Sequence, residues 1–316
     1  MLDSSGRPPM ISVVIPVYNS AAIVGESVNR TVAYLEGAKL DYEIILVNDG
    51  SDDASWEVLA EKAAGNRRIV AVNLLRNYGQ HTAVFCGLQY VAGDYVVTMD
   101  DDLQNPPEEI GPMLAKAQEG FEVVYGRFRE KRHPAYRRAG SLATIWLNRH
   151  IFGLPSDLVV TNFRVIRRDV VERIKEYRTN FPYITGLSLM FSTKRANVWV
   201  DHQPRRIGAS KYGFTALASL MGRILFNYST FPLRLLGFVG ISAATSAFVI
   251  GGIIFARALL SDVRVAGWAS TVILISFFGG LNMLFTTILG EYVLRLLRQT
   301  SESHPYCCKA LINGRH

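Results

Sequence analysis

The sequence is poor in cysteine, and no cysteines or histidines cluster with metal-binding spacing. Its three cysteines are Cys86 and the adjacent pair Cys307 and Cys308. No disulfide framework is indicated, and a reducing compartment is expected. The six histidines are scattered, which argues against a zinc site. Because the first ten residues contain no apolar segment, we expect no cleavable signal peptide.

Two common nucleotide-binding motifs are also missing. Neither GxGxxG after the first predicted strand nor GxxxxGK[ST] occurs, which argues against the usual dinucleotide and triphosphate sites. The net charge is +7. Nucleic-acid binding is not expected, because the basic residues are concentrated locally and the chain also carries uncharged stretches long enough to span a membrane.

Charge is absent from two long stretches in the second half, residues 235–256 and 265–290. Each is longer than the roughly 20 residues that cross the hydrocarbon core of a bilayer. We therefore predict two C-terminal transmembrane helices joined as a hairpin, with two buried helices of a soluble domain as the alternative. Lys and Arg are more frequent outside the pair than in its connection, which predicts that both termini are cytoplasmic.

The first half of the chain alternates apolar strand patterns with helical patterns. Strands are predicted at residues 11–17, 42–47, 69–74, 95–99 and 121–125. Helices are predicted between them, at about residues 21–36, 53–64, 80–91 and 107–118. This alternation predicts an α/β domain with a parallel sheet and helices on both faces. Ligands of such sheets bind beyond the carboxyl ends of the strands.

Polar or acidic segments follow three of the predicted strands. They read PVYNS (16–20), NDGSDD (48–53) and DDDLQNPP (100–107). A turn with a helix N-cap would explain the second segment alone. The same explanation is weaker for the third segment, because a cap needs only one carboxylate. Side chains alternate along a strand, so Asp100 and Asp102 are expected to share one face. Two such carboxylates suit Mg²⁺ or Mn²⁺, which would in turn hold a diphosphate.

Two basic segments lie further along the chain, GRFREKRHPAYRRAG (126–140) and RRIGASKYG (205–213). The first fits a funnel for a lipid-linked phosphate, or a solvated face attracted to anionic lipid. The second fits phosphate contacts, or a basic surface loop. The apolar residues 213–231 follow, and they predict an amphipathic helix in the membrane plane or an ordinary docking helix.

Four motifs together carry a resemblance to a known family. VVIPVYN, VNDGSDD, MDDDLQNPPEE and RxxGxSKY, in this order and spacing, resemble family-2 glycosyltransferases with a Rossmann-like GT-A fold that binds a nucleotide-sugar. With two predicted spans, the chain is similar to the polyprenyl-phosphate glycosyltransferases. The resemblance implies a cytoplasmic GT-A domain (1–212), amphipathic interface helices (213–233), a transmembrane hairpin (234–296) and a cytoplasmic C-terminal tail (297–316).

The resemblance also implies roles for individual residues. Those expected to bind the nucleotide-sugar are Pro16, Tyr18, Asn19, Asp49, Asp100 and Asp101. The expected metal ligands are Asp102 and Gln104. Those expected to serve catalysis are Asp102, Arg164, Arg205 and Lys211. Those expected to bind the acceptor phosphate are Arg127, Arg137, Ser210, Lys211 and Tyr212.

The implied activity is inverting transfer of a sugar, from a UDP-sugar as the expected donor, to polyprenyl (undecaprenyl) phosphate. The reaction would need Mg²⁺ or Mn²⁺ and would occur at the cytoplasmic face of the inner membrane, in a homo-tetramer. Its product would serve cell-envelope glycan or lipid modification. A membrane-anchored nucleotide-sugar sensor or accessory subunit, without turnover, is the alternative.

Two positions depart from the family pattern. Many relatives have an acidic residue where this chain has Ser20, and many read GDFR where this chain reads TNFR (161–164). Asn162 therefore replaces an aspartate that is sometimes proposed as a base, and an amide does not take a proton at neutral pH. The replacement supports a reaction without a general base, or it marks a subgroup with different positioning.

Overall fold

The structure of the chain is a computed structural model. It describes residues 9–128, 145–201, 203, 214–232, 234–235, 237–242, 245–246, 249, 253, 267–300 and 305–314. The chain divides into two compact units. The first comprises Met1–Met221 together with His304–His316, and the second comprises Gly222–Ser303.

An eight-stranded mixed sheet forms the centre of the first unit. Its strands are β1 (Met10–Val17), β2 (Asp41–Asn48), β3 (Ile69–Leu74), β4 (Tyr95–Thr98), β5 (Val123–Phe128), β6 (Arg164–Arg167), β7 (Arg195–Val200) and β8 (Cys308–Ile312). They lie in the order β7-β5-β6-β4-β1-β2-β3-β8. The four strands β4, β1, β2 and β3 pair in parallel, so their carboxyl ends meet at one edge.

Helices connect the parallel strands, as the sequence pattern predicts. They are α1 (Ala21–Gly37), α2 (Ser55–Gly65), α3 (Gln80–Leu88) and α4 (Ile110–Gln118), the last preceded by a 3₁₀ turn at Pro107–Glu109. Further helices are Arg168–Glu176, Ile184–Met190, Phe214–Tyr228 and Trp268–Thr300. The α/β prediction for the first half of the chain is confirmed.

The helices cover both faces of the sheet. On one face, Ile15 of β1 lies in the same buried cluster as Val24 of α1 and Leu114 of α4. On the other face, α3 approaches the sheet closely at Gly87. A Cβ atom added there would lie 2.5 Å from Cγ1 of Val14. Such close helix–sheet contact requires a residue without a side chain.

The prediction of a parallel sheet holds only for the central strands, because the sheet is mixed. Strand β6 runs antiparallel to β4 and β5, and β8 runs antiparallel to β3. Strand β6 has only four residues and begins and ends with arginine, so it lacks the apolar run that marks a buried strand. Strand β8 follows the long uncharged stretches, within the segment that the sequence predicts only as a tail.

The second unit contains the long helix Trp268–Thr300. Many of its large apolar side chains are exposed, including Ile275, Phe277 and Met283. Across the residues that the structure describes, no helix is both long enough and apolar enough to span a bilayer. Much of the first predicted span, residues 235–256, lies outside the described residues.

We expect Gly87→Ala to lower the free energy of unfolding by about 1–3 kcal/mol, because the added methyl group overpacks the contact with Val14 and Val47. Urea or thermal unfolding measures the change. Gly65→Ala is the matched control, since its added Cβ meets nothing within 4 Å at the end of α2. It should be neutral, or stabilising by up to about 1 kcal/mol. Equal stability of Gly87→Ala and the parent chain would contradict the close contact.

Candidate functional site

The register of the central strands brings three polar segments to one edge of the sheet. In β1, Val17 lies opposite Asn48 of β2, and Val14 lies opposite Thr98 of β4. The residues that follow these strands therefore begin side by side. They include Tyr18 after β1, Asp49 after β2 and Asp100 after β4.

Asp49 joins the end of β2 to the loop that precedes α3. Its side chain is only 2% exposed, and its two carboxylate oxygens accept hydrogen bonds from the backbone N–H groups of Tyr78 (2.7 Å) and Gly79 (2.9 Å). Burial raises the pKa of Asp49 to about 6, although both hydrogen bonds oppose the shift. Asp49 therefore holds the loop before α3 against the carboxyl end of β2.

Asn19 joins the loops after β1 and β2. Its backbone N–H donates to Oγ of Ser51 at 2.9 Å, and its Oδ1 accepts from the backbone N–H of Asp52 at 2.9 Å. Asn19 holds a left-handed conformation with φ 50°, which asparagine tolerates better than most residues. These bonds fix the backbone beside Tyr18, so Asn19 organises the site through the main chain.

The three consecutive aspartates lie just beyond β4. Because β4 ends at Thr98, the strand alternation that we used to pair Asp100 with Asp102 does not extend to them. Asp100 accepts a hydrogen bond from Nε2 of Gln80 at 2.5 Å. Asp102 is only 8% exposed, and its Oδ1 accepts from the backbone N–H of Gln104 at 3.1 Å.

Burial and mutual repulsion disfavour the ionised form of two of these aspartates. The pKa of Asp100 is raised to about 7, first by burial and then by the charges of Asp102 and Asp101. The pKa of Asp101 is raised to about 6, first by burial, although hydrogen bonds from Ser20 and the Tyr18 backbone oppose the shift. A bound cation would offset this repulsion and favour the ionised form of these aspartates.

Backbone strain occurs within the same segment. Leu103 has φ 59°, a left-handed conformation that is unusual for a large apolar residue. Such conformations cluster at binding and catalytic sites, where the surrounding structure holds them in place. The strain lies between Asp102 and Gln104, the two residues predicted to bind the metal.

Arg164 lies under the aspartates as a buried countercharge. Its side chain is only 1% exposed, and its guanidinium donates to Oγ1 of Thr98 at 3.1 Å and to Oγ1 of Thr185 at 3.2 Å. Arg164 and Asp100 line the same small cavity, together with Asn162, and the positive charge of Arg164 lowers the pKa of Asp100. Its burial favours an electrostatic role from beneath the site.

An open cleft of about 480 Å³ adjoins the ends of β1, β2 and β3. It is lined by Tyr18, residues 50–53, Trp56, residues 73–77 and Lys309, among others. Pro16, by contrast, lines the small cavity beside Asp100. The lining of the cleft combines aromatic, amide and charged groups, as in sites that bind a polar ligand of moderate size.

Arg127 lies near the carboxyl end of β5, two strands from β4. Tyr125 pairs with Arg164 of β6 and Arg164 pairs with Thr98 of β4, so Arg127 is level with the residues that follow β4, and its guanidinium lies 4.2 Å from the ring centroid of Trp199. Five other predicted site residues lie outside the described residues, namely Arg137, Arg205, Ser210, Lys211 and Tyr212.

Within the described ranges, no group of three or more His, Cys, Asp or Glu side chains could by itself hold a metal ion. Mg²⁺ commonly needs only one or two carboxylates when substrate phosphates complete its coordination. The raised pKa values of Asp100 and Asp101 and the burial of Asp102 fit that kind of site.

Comparison with known proteins identifies the family. A family model described as glycosyl transferase family 2 matches residues 12–175, which include most of β1, all of β2 to β6 and the aspartates. The chain belongs to glycosyl transferase family 2. It is 34% identical over 307 residues to an undecaprenyl-phosphate 4-deoxy-4-formamido-L-arabinose transferase of Shewanella sediminis, a match that covers 96% of this chain and 93% of the relative.

Solved structures agree with the fold of this family 2 glycosyltransferase. Glucosyl-3-phosphoglycerate synthase from Mycobacterium tuberculosis, crystallised with Mn²⁺, uridine diphosphate and phosphoglyceric acid, matches with a TM-score of 0.52 at 19% identity, covering 69% of this chain and 76% of that one. Another mycobacterial protein matches with a TM-score of 0.53 at 19% identity, covering 69% and 72%. The predicted GT-A fold is confirmed.

Two contributions to the candidate site were not predicted from the sequence. Gln80 and half-buried His81 begin α3 beside the aspartates. Burial lowers the pKa of His81 to about 3, and the charge of Arg164 adds to the effect, so its ring is neutral. The segment RNYGQH (76–81) after β3 could have indicated these residues, but it contains no acidic group. The second contribution is Lys309, which comes from the unpredicted strand β8.

We expect Asp100→Asn to stabilise the metal-free protein at pH 8 and to change little at pH 4. A raised folded-state pKa makes the contribution of Asp100 to stability largest at low pH, and that contribution is lost as pH rises through about 7. Removing the charge should therefore raise the free energy of unfolding at pH 8 by about 1–2 kcal/mol. Thermal unfolding without divalent metal measures the change.

Asp157→Asn is the control, because Asp157 is exposed and lines neither the cavity beside Asp100 nor the open cleft. It should leave stability within about 0.5 kcal/mol at both pH values. An Asp100→Asn protein that is less stable than the parent at pH 8 would contradict the electrostatic account.

Proposed function

We propose that the protein transfers a sugar from a UDP-sugar to polyprenyl (undecaprenyl) phosphate, with inversion at the sugar C1. The observation that carries this proposal is the half-buried aspartate group at the end of β4, beside an open polar cleft. A nucleotide across the strand ends would place its base in the cleft and its diphosphate near Asp100–Asp102. The relative from Shewanella sediminis supports the choice of acceptor, since its name gives undecaprenyl phosphate.

The acidic group and its surroundings suit a divalent cation, Mg²⁺ or Mn²⁺. Asp102 and Gln104 would hold the cation, with Asp100 and Asp101 adding negative charge nearby. When bound, the cation would stabilise the charge that develops on the departing nucleoside diphosphate. Arg164 supplies fixed positive charge beneath the same group, and because it is buried, its field is weakly screened by water.

The attacking group is an oxygen of the acceptor phosphate. It forms a bond to C1 of the sugar, while the bond from C1 to the diphosphate oxygen breaks and its electrons leave with the nucleoside diphosphate. A phosphate monoester has a second pKa of about 6, so the attacking oxygen is already ionised near neutral pH. The reaction therefore requires no general base, which agrees with the presence of Asn162 beside Asp100 in the small cavity.

Ser20 fits the same electrostatic account. Its side chain makes a hydrogen bond that lowers the pKa of Asp101. A carboxylate at this position would add a fourth negative charge next to the three aspartates and would raise their pKa values further. A hydroxyl group therefore helps to keep Asp101 ionised.

The acceptor is expected to approach from a membrane. The uncharged stretches 235–256 and 265–290 and the exposed apolar side chains of helix Trp268–Thr300 support a C-terminal hairpin in the inner membrane, with both termini cytoplasmic. Helix Phe214–Tyr228 would lie at the interface. Arg127, Arg137, Arg205, Ser210, Lys211 and Tyr212 would bind the acceptor and donor phosphates, in a homo-tetramer.

We expect Asp102→Asn to reduce release of nucleoside diphosphate by about 100-fold or more, because the variant loses the charge that the cation requires. The protein should stay folded, since an asparagine Oδ1 still accepts from the backbone N–H of Gln104. The measurement is UDP release with a UDP-sugar, undecaprenyl phosphate and Mn²⁺.

Asp41→Asn is the matched control. Asp41 is an exposed residue at the first position of β2, at the opposite edge of the sheet, and its variant should keep full activity. Full activity in the Asp102→Asn protein would contradict the proposed role of the metal. Donor binding by the parent chain without UDP release would favour the alternative function, a nucleotide-sugar sensor without turnover.

A further inference from the structure

Strand β8 introduces a lysine into the cleft through a β-bulge. Cys308 pairs with Leu74 of β3, and Ala310 pairs with Asn73, so Lys309 is the extra residue between two consecutive pairs. A bulge redirects the side chain of its extra residue, and bulges are frequent beside active sites. The side chain of Lys309 lines the cleft together with residues 73–77 of the preceding strand end.

The backbone around this lysine is well anchored. On one side, the backbone N–H of Leu75 donates to the carbonyl of Cys307 at 2.9 Å. On the other side, Nδ2 of Asn313 donates to the carbonyls of Ala63 (2.6 Å) and Ile69 (2.9 Å). The bulge is therefore fixed to β3 and α2 at both ends, and its position does not depend on the lysine side chain.

The ammonium group of Lys309 is available for a ligand. The residue is exposed, and within the described part of the chain it forms no ion pair or hydrogen bond through its side chain. A second basic residue, Arg76, also lines the cleft, and its guanidinium lies 5.2 Å from the ring centroid of Tyr78. Lys309 thus adds a positive charge at the β3 side of the cleft.

The sheet order places this charge far from the aspartates. Four strand spacings separate β4 from β8, which corresponds to about 19 Å. A diphosphate group is too short to contact both the aspartates after β4 and Lys309 on β8. If the diphosphate lies at Asp100–Asp102, Lys309 is at the opposite end of the same ligand, where the base lies.

We propose that Lys309, from the C-terminal strand β8, binds the base of the donor nucleotide and favours a base with a carbonyl oxygen at its edge. This inference rests on the proposed function, since it takes the cleft as the nucleotide site. An ammonium group has three donors and no acceptor. It can donate to a carbonyl of uracil, whereas the corresponding position of cytosine carries an amino group, which is itself a donor.

The test measures binding of UDP and CDP to the full-length protein by calorimetry, with Mn²⁺ present. The parent chain should bind UDP more tightly than CDP. Lys309→Ala should weaken UDP binding about tenfold, the size of one charge-assisted hydrogen bond, and should leave CDP binding nearly unchanged. Lys309→Arg should retain most of the preference, because it keeps the charge and the donors.

Lys194→Ala is the matched control. Lys194 is an exposed residue next to β7, which is the outermost strand on the side of the sheet opposite β8. The variant should bind both nucleotides like the parent. Unchanged UDP binding in Lys309→Ala, with an unchanged thermal unfolding midpoint, would overturn the inference and leave the proposed function intact. An equal loss of UDP and CDP affinity in Lys309→Ala would overturn the proposed contact between Lys309 and the base. Failure of the parent chain to bind either nucleotide would overturn both the inference and the UDP assignment.

Discussion

The candidate site depends on the parallel pairing of β1 with β2 on one side and β4 on the other. This register aligns the carboxyl ends of three strands, so that segments separated by up to about 80 residues in the sequence form one rim. The buried contacts of α1, α4 and α3 with the two faces of the sheet hold that register, because a shift of one residue would exchange the side chains that pack against each helix, including Val14 opposite Gly87. The apolar packing beneath the strands therefore fixes the positions of the polar segments that form the rim.

The aspartates at the rim lower the stability of the fold, because their negative charges repel one another. Asp100, Asp101 and Asp102 lie close together in a partly buried setting, and Leu103 adds a left-handed backbone. Arg164 offsets part of the repulsion from below, with its own guanidinium satisfied by Thr98 and Thr185. Remaining charge and strain of this kind are characteristic of sites that are completed by a ligand. The same logic explains why Ser20 and Asn162, both uncharged, border the aspartates.

Sequence patterns predicted the central part of this arrangement well. The apolar runs identified β1 to β5, and the polar segments after β1, β2 and β4 identified Tyr18, Asp49 and Asp100–Asp102 as neighbours. The patterns could not predict that Asp49 and Asn19 act through backbone hydrogen bonds, because such partners depend on how distant loops meet. They also missed β6, whose four residues begin and end with arginine, and β8, whose pairing with β3 closes a loop of more than 200 residues. Lys309 was missed for the same reason.

Lipid-dependent release of nucleoside diphosphate tests the central claim most directly. The purified chain would be incubated with Mn²⁺ or Mg²⁺ and with UDP-, GDP- and dTDP-sugars one at a time, with and without undecaprenyl phosphate. Our account predicts that a UDP-sugar alone among these donors releases its nucleoside diphosphate, and that release requires the lipid phosphate. Donor binding without release from any donor would contradict the account, because the aspartate rim would then bind a nucleotide-sugar without transferring it.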